Sequence, residues 1–234
     1  MNIGARLEAI GKLVLKDCVL ADIGTDHAYL PVNLLLENKI ESAIAGDIAQ
    51  GPCRAAENTV ALYNLRKKVQ VRHGSGLKVL KVGEADCISI AGMGGSTIVE
   101  ILAADLDIAK AAKRLVLQPQ TGAPGLRKWL IQQGWQIVEE ELIWDNNRLY
   151  EIIVAERSEA AVALPTQAEL EIGPVLLAKN HSLLLDQFAK ILDAYNKQLS
   201  FMEKSENAVK TDKYAQLKQL VNDLEALKDA CKFK

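Results

Sequence analysis

The chain has 234 residues, of which 49% are hydrophobic, and a formal net charge of −2 at pH 7. This length suffices for one good-sized domain with an appendage or for two small domains. Because there is no basic excess, nucleic-acid binding would have to depend on a local patch of basic residues. The four cysteines are scattered without a C-x-x-C pair, which favours reduced thiols over a disulfide or zinc framework. With no signal-peptide pattern and no apolar run of membrane-spanning length, we expect a cytoplasmic protein that binds neither a membrane nor a metal.

Apolar residues recur at helical spacing over residues 2–17 and predict a short amphipathic helix. The next stretch, residues 18–31, is typical of a buried strand, a tight turn at Gly24 and the first turn of a helix. Proteins of the α/β class bind nucleotide-like ligands at such corners, because the helix N-terminus offers free N–H groups and the strand ends open a crevice. The three spaced glycines expected for a pyrophosphate are missing. Asp22, just before the turn, instead suggests a cationic ligand such as S-adenosylmethionine.

A second buried strand is predicted over residues 42–47 and ends in Asp47. Asp47 lies 25 residues after Asp22, at the place where doubly wound folds put a carboxylate that accepts both hydroxyls of a ribose. The alternative is that Asp47 caps the helix after it, which we predict over residues 53–65 with Pro52 in its first turn. We favour the ribose role.

Two glycine-rich loops follow the third and fourth predicted strands, which span residues 69–72 and 86–91. In the first loop, Gly74-Ser75-Gly76 lets the backbone approach a flat ligand closely, so it either lines an adenine pocket or forms an ordinary turn. The second loop has three glycines in residues 92–95, an arrangement that costs conformational entropy. It favours a surface over which a flat base or a methyl group passes. The alternative is a tight turn into a helix capped by Ser96.

A fifth strand over residues 114–117, a helix over 125–133 and a hairpin formed by 135–144 and 149–155 follow in the chain. Five βα units followed by a helix and a terminal hairpin are the layout of the seven-stranded methyltransferase sheet, whose last strand inserts antiparallel. A dehydrogenase-type sheet would continue with parallel strands. We therefore predict an α/β fold with a Rossmann-like sheet of this kind, in a domain spanning residues 1–157.

After residue 157 the strand signals stop. Residues 158–167 are predicted to be a linker, and two apolar stripes then follow at alternating three- and four-residue spacing. The stripes are Leu185, Phe188, Leu192, Tyr195, Leu199 and Met202, and then Leu217, Leu220, Leu224, Leu227 and Cys231. They predict an antiparallel coiled-coil hairpin of α-helices, with arms roughly 30–40 Å long at about 1.5 Å per residue, in a domain spanning residues 158–234. We expect these stripes to pack internally in a monomer; a dimer through this region stays open.

Short motifs cover nearly all of the first predicted domain. They are Asp22-Ile-Gly-Thr-Asp-His-Ala-Tyr-Leu-Pro31, Gly51-Pro52, Gly74-Ser-Gly-Leu77, Ile90-Ala-Gly-Met-Gly-Gly95, Leu117-Gln-Pro119, Leu126-Arg127, Trp129-Leu130, Gly134-Trp135 and Tyr150-Glu151-Ile152. Together they resemble the bacterial tRNA (adenine-22-N1)-methyltransferase family, as does the coiled-coil-like tail. The resemblance implies a class I enzyme that uses S-adenosyl-L-methionine to methylate N1 of adenine 22 in the D-arm region of tRNA, giving 1-methyladenosine. Two positions depart from the family's pattern: Ser75, where members often have an acidic or amide residue, and Gln120, where many have asparagine.

The resemblance also implies a set of cofactor contacts. These are Asp22, Gly24, Thr25, His27, Tyr29, Leu30, Asp47, Ile48, Gly74, Ser75, Gly76, Leu77, Ala91, Gly92 and Met93. Asp22 and Gly24 would hold the methionine end of the cofactor, and Asp47 its ribose. Residues 74–77 would hold its adenine. Residues 91–95 would form the floor where the methyl group and the target base meet.

Catalysis would consist mainly of aligning the in-plane lone pair of adenine N1 with the methyl carbon and the sulfur, so no strong base is required. The residues expected at the reacting centre are Gly92, Met93, Gly94 and His27, and those expected to contact RNA are Arg6, Lys12, Arg54 and Arg127. The target base has to leave its stack to reach this centre. His27 and Tyr29 could equally brace the cofactor loop, and each basic residue could equally be a solvated charge.

Two other classes of function stay open at this point. The first is a methyltransferase that acts on a small molecule or a protein, which the near-neutral charge allows. The second is a non-catalytic interaction protein, in which a cofactor-like domain carries a helical hairpin for a partner. The presence of Asp22, Asp47 and both glycine loops in one chain argues against the second class.

Overall fold

The computed structural model describes residues 1–158 and 163–231 of the chain. Contacts between residues divide the chain into two compact units, Met1–Val162 and Ala163–Lys234. The predicted linker, 158–167, lies partly outside the described residues, at 159–162. The predicted domain boundary after residue 157 therefore remains a prediction.

The first unit contains a seven-stranded sheet with helices between its strands. Its helices are α1 (Ala5–Leu13), α2 (Tyr29–Leu36), α3 (Gln50–Leu62), α4 (Gly95–Ala104), α5 (Leu106–Ala111) and α6 (Ala123–Gln132). Its strands are β1 (Val19–Ile23), β2 (Ser42–Asp47), β3 (Val69–His73), β4 (Cys87–Met93), β5 (Arg114–Pro119), β6 (Trp135–Asp145) and β7 (Arg148–Arg157). The strand order is β3-β2-β1-β4-β5-β7-β6. Strands β1 to β5 are parallel, and β7 lies antiparallel between β5 and β6, which confirms the predicted methyltransferase-type sheet.

The inner parallel strands β1, β2, β4 and β5 are mostly apolar because both of their faces are covered, whereas β3, at the edge of the sheet, is partly exposed. Side chains alternate across a strand, and Leu20, Cys87 and Val116 belong to one buried cluster with residues of α1 and α2. Their neighbours Ile88 and Leu115 are also fully buried and point to the opposite face, against which α4 packs. This two-sided burial leaves the ends of the strands as the place where polar loops can meet.

Helix α4 begins at Gly95, so Ser96 lies inside the helix and does not cap it as the alternative in the sequence analysis supposed. Gly94 is the residue before the helix, and no side chain caps it. The start of the helix is instead set by a close backbone contact, because the Gly95 N–H donates to the Thr121 carbonyl at 2.7 Å. A Cβ atom on Gly95 would lie 2.4 Å from the Gly122 carbonyl oxygen, so only glycine fits here. The β4–α4 loop and the β5–α6 loop are therefore held together.

The second unit is helical throughout its assigned elements. It contains α7 (Gln167–Ile172), α8 (Pro174–Ala178), α9 (Leu184–Met202) and α10 (Asp212–Ala230). Helices α9 and α10 pack against each other as the two arms of a hairpin, and each 19-residue arm is about 28 Å long. In the chain that the structure describes, no helix is both long enough and apolar enough to cross a membrane.

The core of the hairpin follows the predicted stripes with one correction. Phe188 and Leu224 are fully buried, as predicted. Leu185 is 47% exposed, and Leu184 is buried in its place. Helix α9 begins at Leu184, so the buried face of its first turn is shifted by one residue from the predicted stripe. Helix α7 was not predicted, although the Thr166-x-x-Glu169 capping box at its start is a recognisable sequence signal.

Candidate functional site

A cavity of about 690 Å³ lies where the parallel strands of the first unit end. Its lining residues are Arg6, Ile23, Gly24, Asp26, Gly46, Asp47, Ile48, Gly74, Ser75, Gly76, Lys78, Ala91, Gly92, Met93, Thr97, Glu100, Ile101, Ala104, Asp105 and Gln120. The strand register explains this grouping, since Ile23 of β1 is level with both Gly46 of β2 and Ile90 of β4. The strand order reverses between β1 and β4, and ligands of open α/β sheets bind at such a switch point.

Nine of the predicted cofactor residues line this cavity. They are Gly24, Asp47, Ile48, Gly74, Ser75, Gly76, Ala91, Gly92 and Met93. They come from four segments of the chain, and only the sheet brings these segments together. The fold thus assembles the strand corner, the acidic strand end and both glycine loops around one space.

Asp22 does not line the cavity; its buried carboxylate braces the corner behind it. It accepts hydrogen bonds from the hydroxyls of Thr25 (2.6 Å) and Ser89 (2.5 Å). Thr25 is itself buried and bonded to Asp22, and its predicted cofactor contact stays a prediction. Burial raises the pKa of the Asp22 carboxyl above its ordinary value, although both hydroxyl bonds act in the opposite direction.

The raised pKa of Asp22 predicts a pH-dependent difference in stability between the wild-type protein and the Asp22→Asn variant. As the pH rises from the ordinary carboxyl range towards the raised pKa, the unfolded chain releases this proton first, so the wild type loses stability. The amide of the variant cannot ionise and retains an oxygen for the two hydroxyls. We therefore expect the free energy of unfolding, measured with urea from about pH 4 to about pH 8, to shift in favour of the variant as pH rises. A difference in unfolding free energy that does not change with pH would contradict this prediction.

Leu30, Leu77, His27, Tyr29 and Gly94 were also predicted at the site and do not line the cavity. Leu30 and Leu77 are buried in the apolar core, and their predicted cofactor contact stays a prediction. The rings of His27 and Tyr29 stack on each other with centroids 5.1 Å apart, and both are partly exposed. Gly94 is the residue that precedes α4. The stacked pair stands beside the corner, and its predicted contact with the cofactor or the substrate stays a prediction.

Gly24 permits a close approach between the β1 corner and the β4 loop. Its φ angle is +74°, a conformation that side chains disfavour. A Cβ atom here would lie 2.2 Å from the Cε atom of Met93. The thioether of Met93 therefore rests on the corner where the methionine end of the cofactor is predicted.

Asp47 has the position predicted for a ribose-binding carboxylate and also orders its own loop. It accepts the backbone N–H groups of Asp26 (3.2 Å) and Ala49 (2.9 Å). Ala49, not Asp47, is the residue directly before α3, so Asp47 is not the helix cap. A carboxylate has about four acceptor sites, and two hydrogen bonds leave acceptor capacity that faces the cavity.

The floor of the cavity at Gly92 is held by a residue that the sequence analysis did not assign. Gln118 is fully buried at the end of β5, and its Oε1 accepts both the Gly92 N–H (3.2 Å) and a guanidinium N–H of Arg6 (2.8 Å). Gln120 adds a backbone N–H bond to the Met93 carbonyl at 2.7 Å. A polar residue at the end of an apolar strand is the signal that could have revealed Gln118.

The four predicted RNA contacts have different surroundings. Arg6 lines the cavity, whereas Lys12 and Arg54 are exposed and are not among its lining residues. Arg127 is fully buried between Glu140 (2.6 Å) and Glu151 (2.8 Å), so its assignment to RNA contact is corrected to an internal ion-pair network. An interior cation is rarely found without such partners.

The cysteines offer no reactive or metal-binding group at the site. Burial raises the pKa of the Cys18 thiol to about 11 and that of the Cys87 thiol to about 12. Both thiols are therefore protonated at neutral pH, and a protonated thiol is a poor nucleophile. Within residues 1–158 and 163–231, no group of three or more His, Cys, Asp or Glu side chains could hold a metal ion.

Comparison with known proteins gives matches along nearly the whole chain. Residues 20–226 match the model of a family described as tRNA (adenine(22)-N(1))-methyltransferase. The Bacillus subtilis (strain 168) protein of that name is 35% identical over 233 residues, which are 98% of this chain and 97% of that protein.

Two solved structures with bound ligands are similar in fold to this chain. A Streptococcus pneumoniae protein in complex with S-adenosyl-L-methionine has a TM-score of 0.79 and 32% identity, over 97% of this chain and 98% of that one. M. capricolum TrmK, in complex with S-adenosyl-homocysteine, has a TM-score of 0.85 and 25% identity, over 99% of this chain and 100% of that one. Both matches include the two units.

Proposed function

The chain belongs to the tRNA (adenine(22)-N(1))-methyltransferase family, and we propose that it transfers a methyl group from S-adenosyl-L-methionine to N1 of adenine 22 in the D-arm region of tRNA. The product is 1-methyladenosine. The observation that carries the proposal is the cavity in which Asp47, the Gly24 corner and both glycine loops meet. The Bacillus subtilis relative bears the name of this activity.

The residues around the cavity fit S-adenosyl-L-methionine in size and chemistry. A volume of about 690 Å³ lies within the range of roughly 300–1,000 Å³ that is usual for small-molecule sites. Asp47 is proposed to accept the ribose hydroxyls, and Gly74, Ser75 and Gly76 to lie against the adenine. Gly24 is proposed to lie against the methionine end, with Asp22 as the buried brace of that corner. When bound, the cofactor supplies an electrophilic methyl group on a sulfonium that is a good leaving group.

The contribution of the protein to the reaction is proposed to be alignment. Adenine N1 attacks through a lone pair that needs no prior deprotonation, so the site has to position the base more than to activate it. Gly92 and Met93 form the floor, and the absence of a side chain at Gly92 leaves room for a flat base. The Oε1 atom of Gln118 accepts a hydrogen bond from the Gly92 N–H and thereby fixes the position of the Gly92 backbone in this floor. His27, beside the corner, is proposed to contact the substrate.

Recognition of the tRNA is proposed to involve both domains, 1–157 and 158–234. Arg6, Lys12 and Arg54 are candidates for contacts with phosphate groups. The helical hairpin of the second domain would brace the folded RNA by shape, since RNA duplexes are read largely through shape and backbone. We propose that the protein acts in the cytoplasm. We also propose that it is a monomer, because Phe188 and Leu224 of the hairpin stripes are already buried within their own unit.

Deletion of residues 158–234 tests the role of the second domain. We expect the truncated protein to bind S-adenosyl-L-methionine with unchanged affinity in calorimetry, while its methylation of tRNA falls sharply. Retained cofactor binding is the control that the first domain is folded. Equal turnover of tRNA by the truncated and full-length proteins would refute this role.

The activity itself is tested by transfer of a radiolabelled methyl group from S-adenosyl-L-methionine to unmodified tRNA transcripts, with the product nucleoside identified by mass spectrometry. The proposal requires 1-methyladenosine, and requires that it disappear when adenine 22 of the transcript is replaced. Cofactor binding without labelling of any tRNA would favour a small-molecule or protein substrate. Failure to bind the cofactor would favour the non-catalytic interaction protein.

A further inference from the structure

Two arginines share one aromatic ring beside the cavity. The guanidinium carbon of Arg6, from α1, lies 5.5 Å from the centre of the Tyr150 ring, and that of Arg148 lies 5.1 Å from it. Arg148 and Tyr150 are both on β7, at the end of the β6–β7 hairpin that is nearest to the carboxyl ends of the parallel strands. Both separations are within the roughly 6 Å at which a cation is attracted to an aromatic face. We call Arg6, Arg148 and Tyr150 the arginine clamp.

The guanidinium groups of the arginine clamp form hydrogen bonds to neutral groups of the protein. Within residues 1–158 and 163–231, neither guanidinium forms an ion pair with a carboxylate. The guanidinium of Arg6 bonds to the neutral amide of Gln118, and that of Arg148 donates to the Gln120 carbonyl at 3.3 Å. The Asp145 carboxylate accepts only the backbone N–H of Arg6 (3.3 Å).

Two like charges at this spacing create a site for an anion. Both lie within 5.5 Å of one ring centre, so the two guanidinium groups are at most about 11 Å apart, a distance close to the Debye length of about 8–10 Å at physiological salt. Their repulsion is relieved when an anion binds near both. By contrast, Arg72 and Arg114 form ion pairs with Glu84 and Glu156, so the chain neutralises these guanidinium groups, which serve the fold.

The arginine clamp adjoins the end of the cavity where the target base is proposed to react. Arg6 and Gln120 both line the cavity, and a Cβ atom on Gly92 would lie 3.7 Å from Nη1 of Arg6 and 3.8 Å from Nε2 of Gln120. An anion held here would therefore be next to the Gly92 floor. The proposed ribose-binding residue, Asp47, belongs to a different loop, which follows β2.

We propose that the arginine clamp binds the phosphate groups that flank the target nucleotide and so holds its base over Gly92. This inference rests on the proposed function. Arginine suits the task because its planar guanidinium binds phosphate oxygens in pairs and stacks on aromatic rings. Phosphate contacts set the position of a nucleic acid without reading its sequence. The clamp thus acts in positioning the substrate and not in the transfer step.

The test compares Arg148→Ala with Arg157→Ala in the full-length protein. Arg157 is a matched control because it is also exposed, also lies on β7 and also stacks on an aromatic ring, that of Trp135 at 5.5 Å. It stands at the opposite end of the strand, paired in register with Trp135. Binding of a fluorescently labelled tRNA transcript is measured by anisotropy over a range of salt concentrations, and S-adenosyl-L-methionine binding is measured by calorimetry.

We expect Arg148→Ala to weaken tRNA binding about tenfold and to reduce the slope of log affinity against log salt by about 0.7–0.9, the loss of one phosphate contact. Cofactor affinity should stay within twofold of the wild type, and Arg157→Ala should change neither quantity. Arg148→Lys should keep the wild-type salt slope, because the charge remains, while tRNA binding weakens through loss of the planar group.

Three outcomes would overturn the inference. In the first outcome, Arg148→Ala and Arg157→Ala have the same tRNA affinity and the same salt slope, while the wild type methylates tRNA. The proposal that the clamp binds phosphate is then wrong, and the proposed function stands. If Arg148→Ala weakens cofactor binding as much as tRNA binding, Arg148 supports the fold of the site instead. If the wild-type protein binds no tRNA, both the clamp and the proposed function fail.

Discussion

Replacement of Asp47 by alanine is expected to raise the dissociation constant for S-adenosyl-L-methionine roughly a hundredfold. Two hydrogen bonds from ribose hydroxyls to a carboxylate would be lost, and each bond to a charged group is worth about 1.5 kcal/mol or more. Asp47→Asn keeps one acceptor oxygen without the charge, so we expect a loss of about tenfold. Calorimetric titration of the full-length variants with the cofactor measures both effects.

The kinetic signature separates ribose binding from a role in the reaction. At saturating cofactor the Asp47→Ala variant should recover most of its turnover, since the ribose contact is the same in the ground state and the transition state. The variant also frees the N–H groups of Asp26 and Ala49, so its thermal stability has to be measured beside its affinity. Asp107→Ala, an exposed change of the same charge on α5, serves as the control. Unchanged cofactor affinity in Asp47→Ala would reduce Asp47 to an organiser of its own loop.

Replacement of Arg127 by methionine is expected to lower the free energy of unfolding of the first unit by a large amount for a single substitution. The side chain joins α6 to both strands of the terminal hairpin, through Glu140 on β6 and Glu151 on β7. Methionine fills most of the volume but leaves the fully buried Glu140 carboxylate without its cation, a change that costs about 3–5 kcal/mol. For a chain of this size the melting temperature should fall by about 6–20 °C. Circular dichroism measures the loss of unfolding free energy in a urea titration and the fall in melting temperature in a thermal scan.

Two further variants show whether the effect of Arg127 is electrostatic. Adding Glu140→Gln to Arg127→Met removes the orphaned charge, so the double variant should be more stable than the single one. Lys113→Ala breaks an exposed ion pair with Asp86 and should leave the melting temperature unchanged. The electrostatic account fails if the double variant is less stable than the wild type by the full sum of the two single changes.

Much of this protein could be predicted from local sequence, because the relevant physics is local. Continuous apolar runs such as residues 19–21 indicate strands buried on both faces, and Gly24 marks the turn that ends the first of them. The apolar spacing around Phe188 and Leu224 indicates helices that pack along one stripe. These signals, with the terminal hairpin, led to the seven-stranded sheet, its antiparallel last strand and the helical second unit.

Which polar residues face the cavity depends on how the chain folds. Asp22 and Asp47 both end apolar strands and look equivalent in the sequence, yet Asp22 is enclosed by Thr25 and Ser89 while Asp47 lines the cavity. Arg127 looks like a surface cation near a helix start and is instead fully buried. The difference depends on strand register and on long-range neighbours.

The same reason explains the residues that sequence reasoning missed. Gln118 and Arg148 acquire their roles from Arg6, which is more than a hundred residues away in the chain and reaches them through the sheet. Gly95 sets the start of α4 through the backbone of Gly122, a contact that no local propensity encodes. Local sequence therefore encodes the order and type of the elements and the loops that form the site. The fold decided the orientation of each polar side chain, because burial and pairing are set by residues that are distant in sequence and close in space.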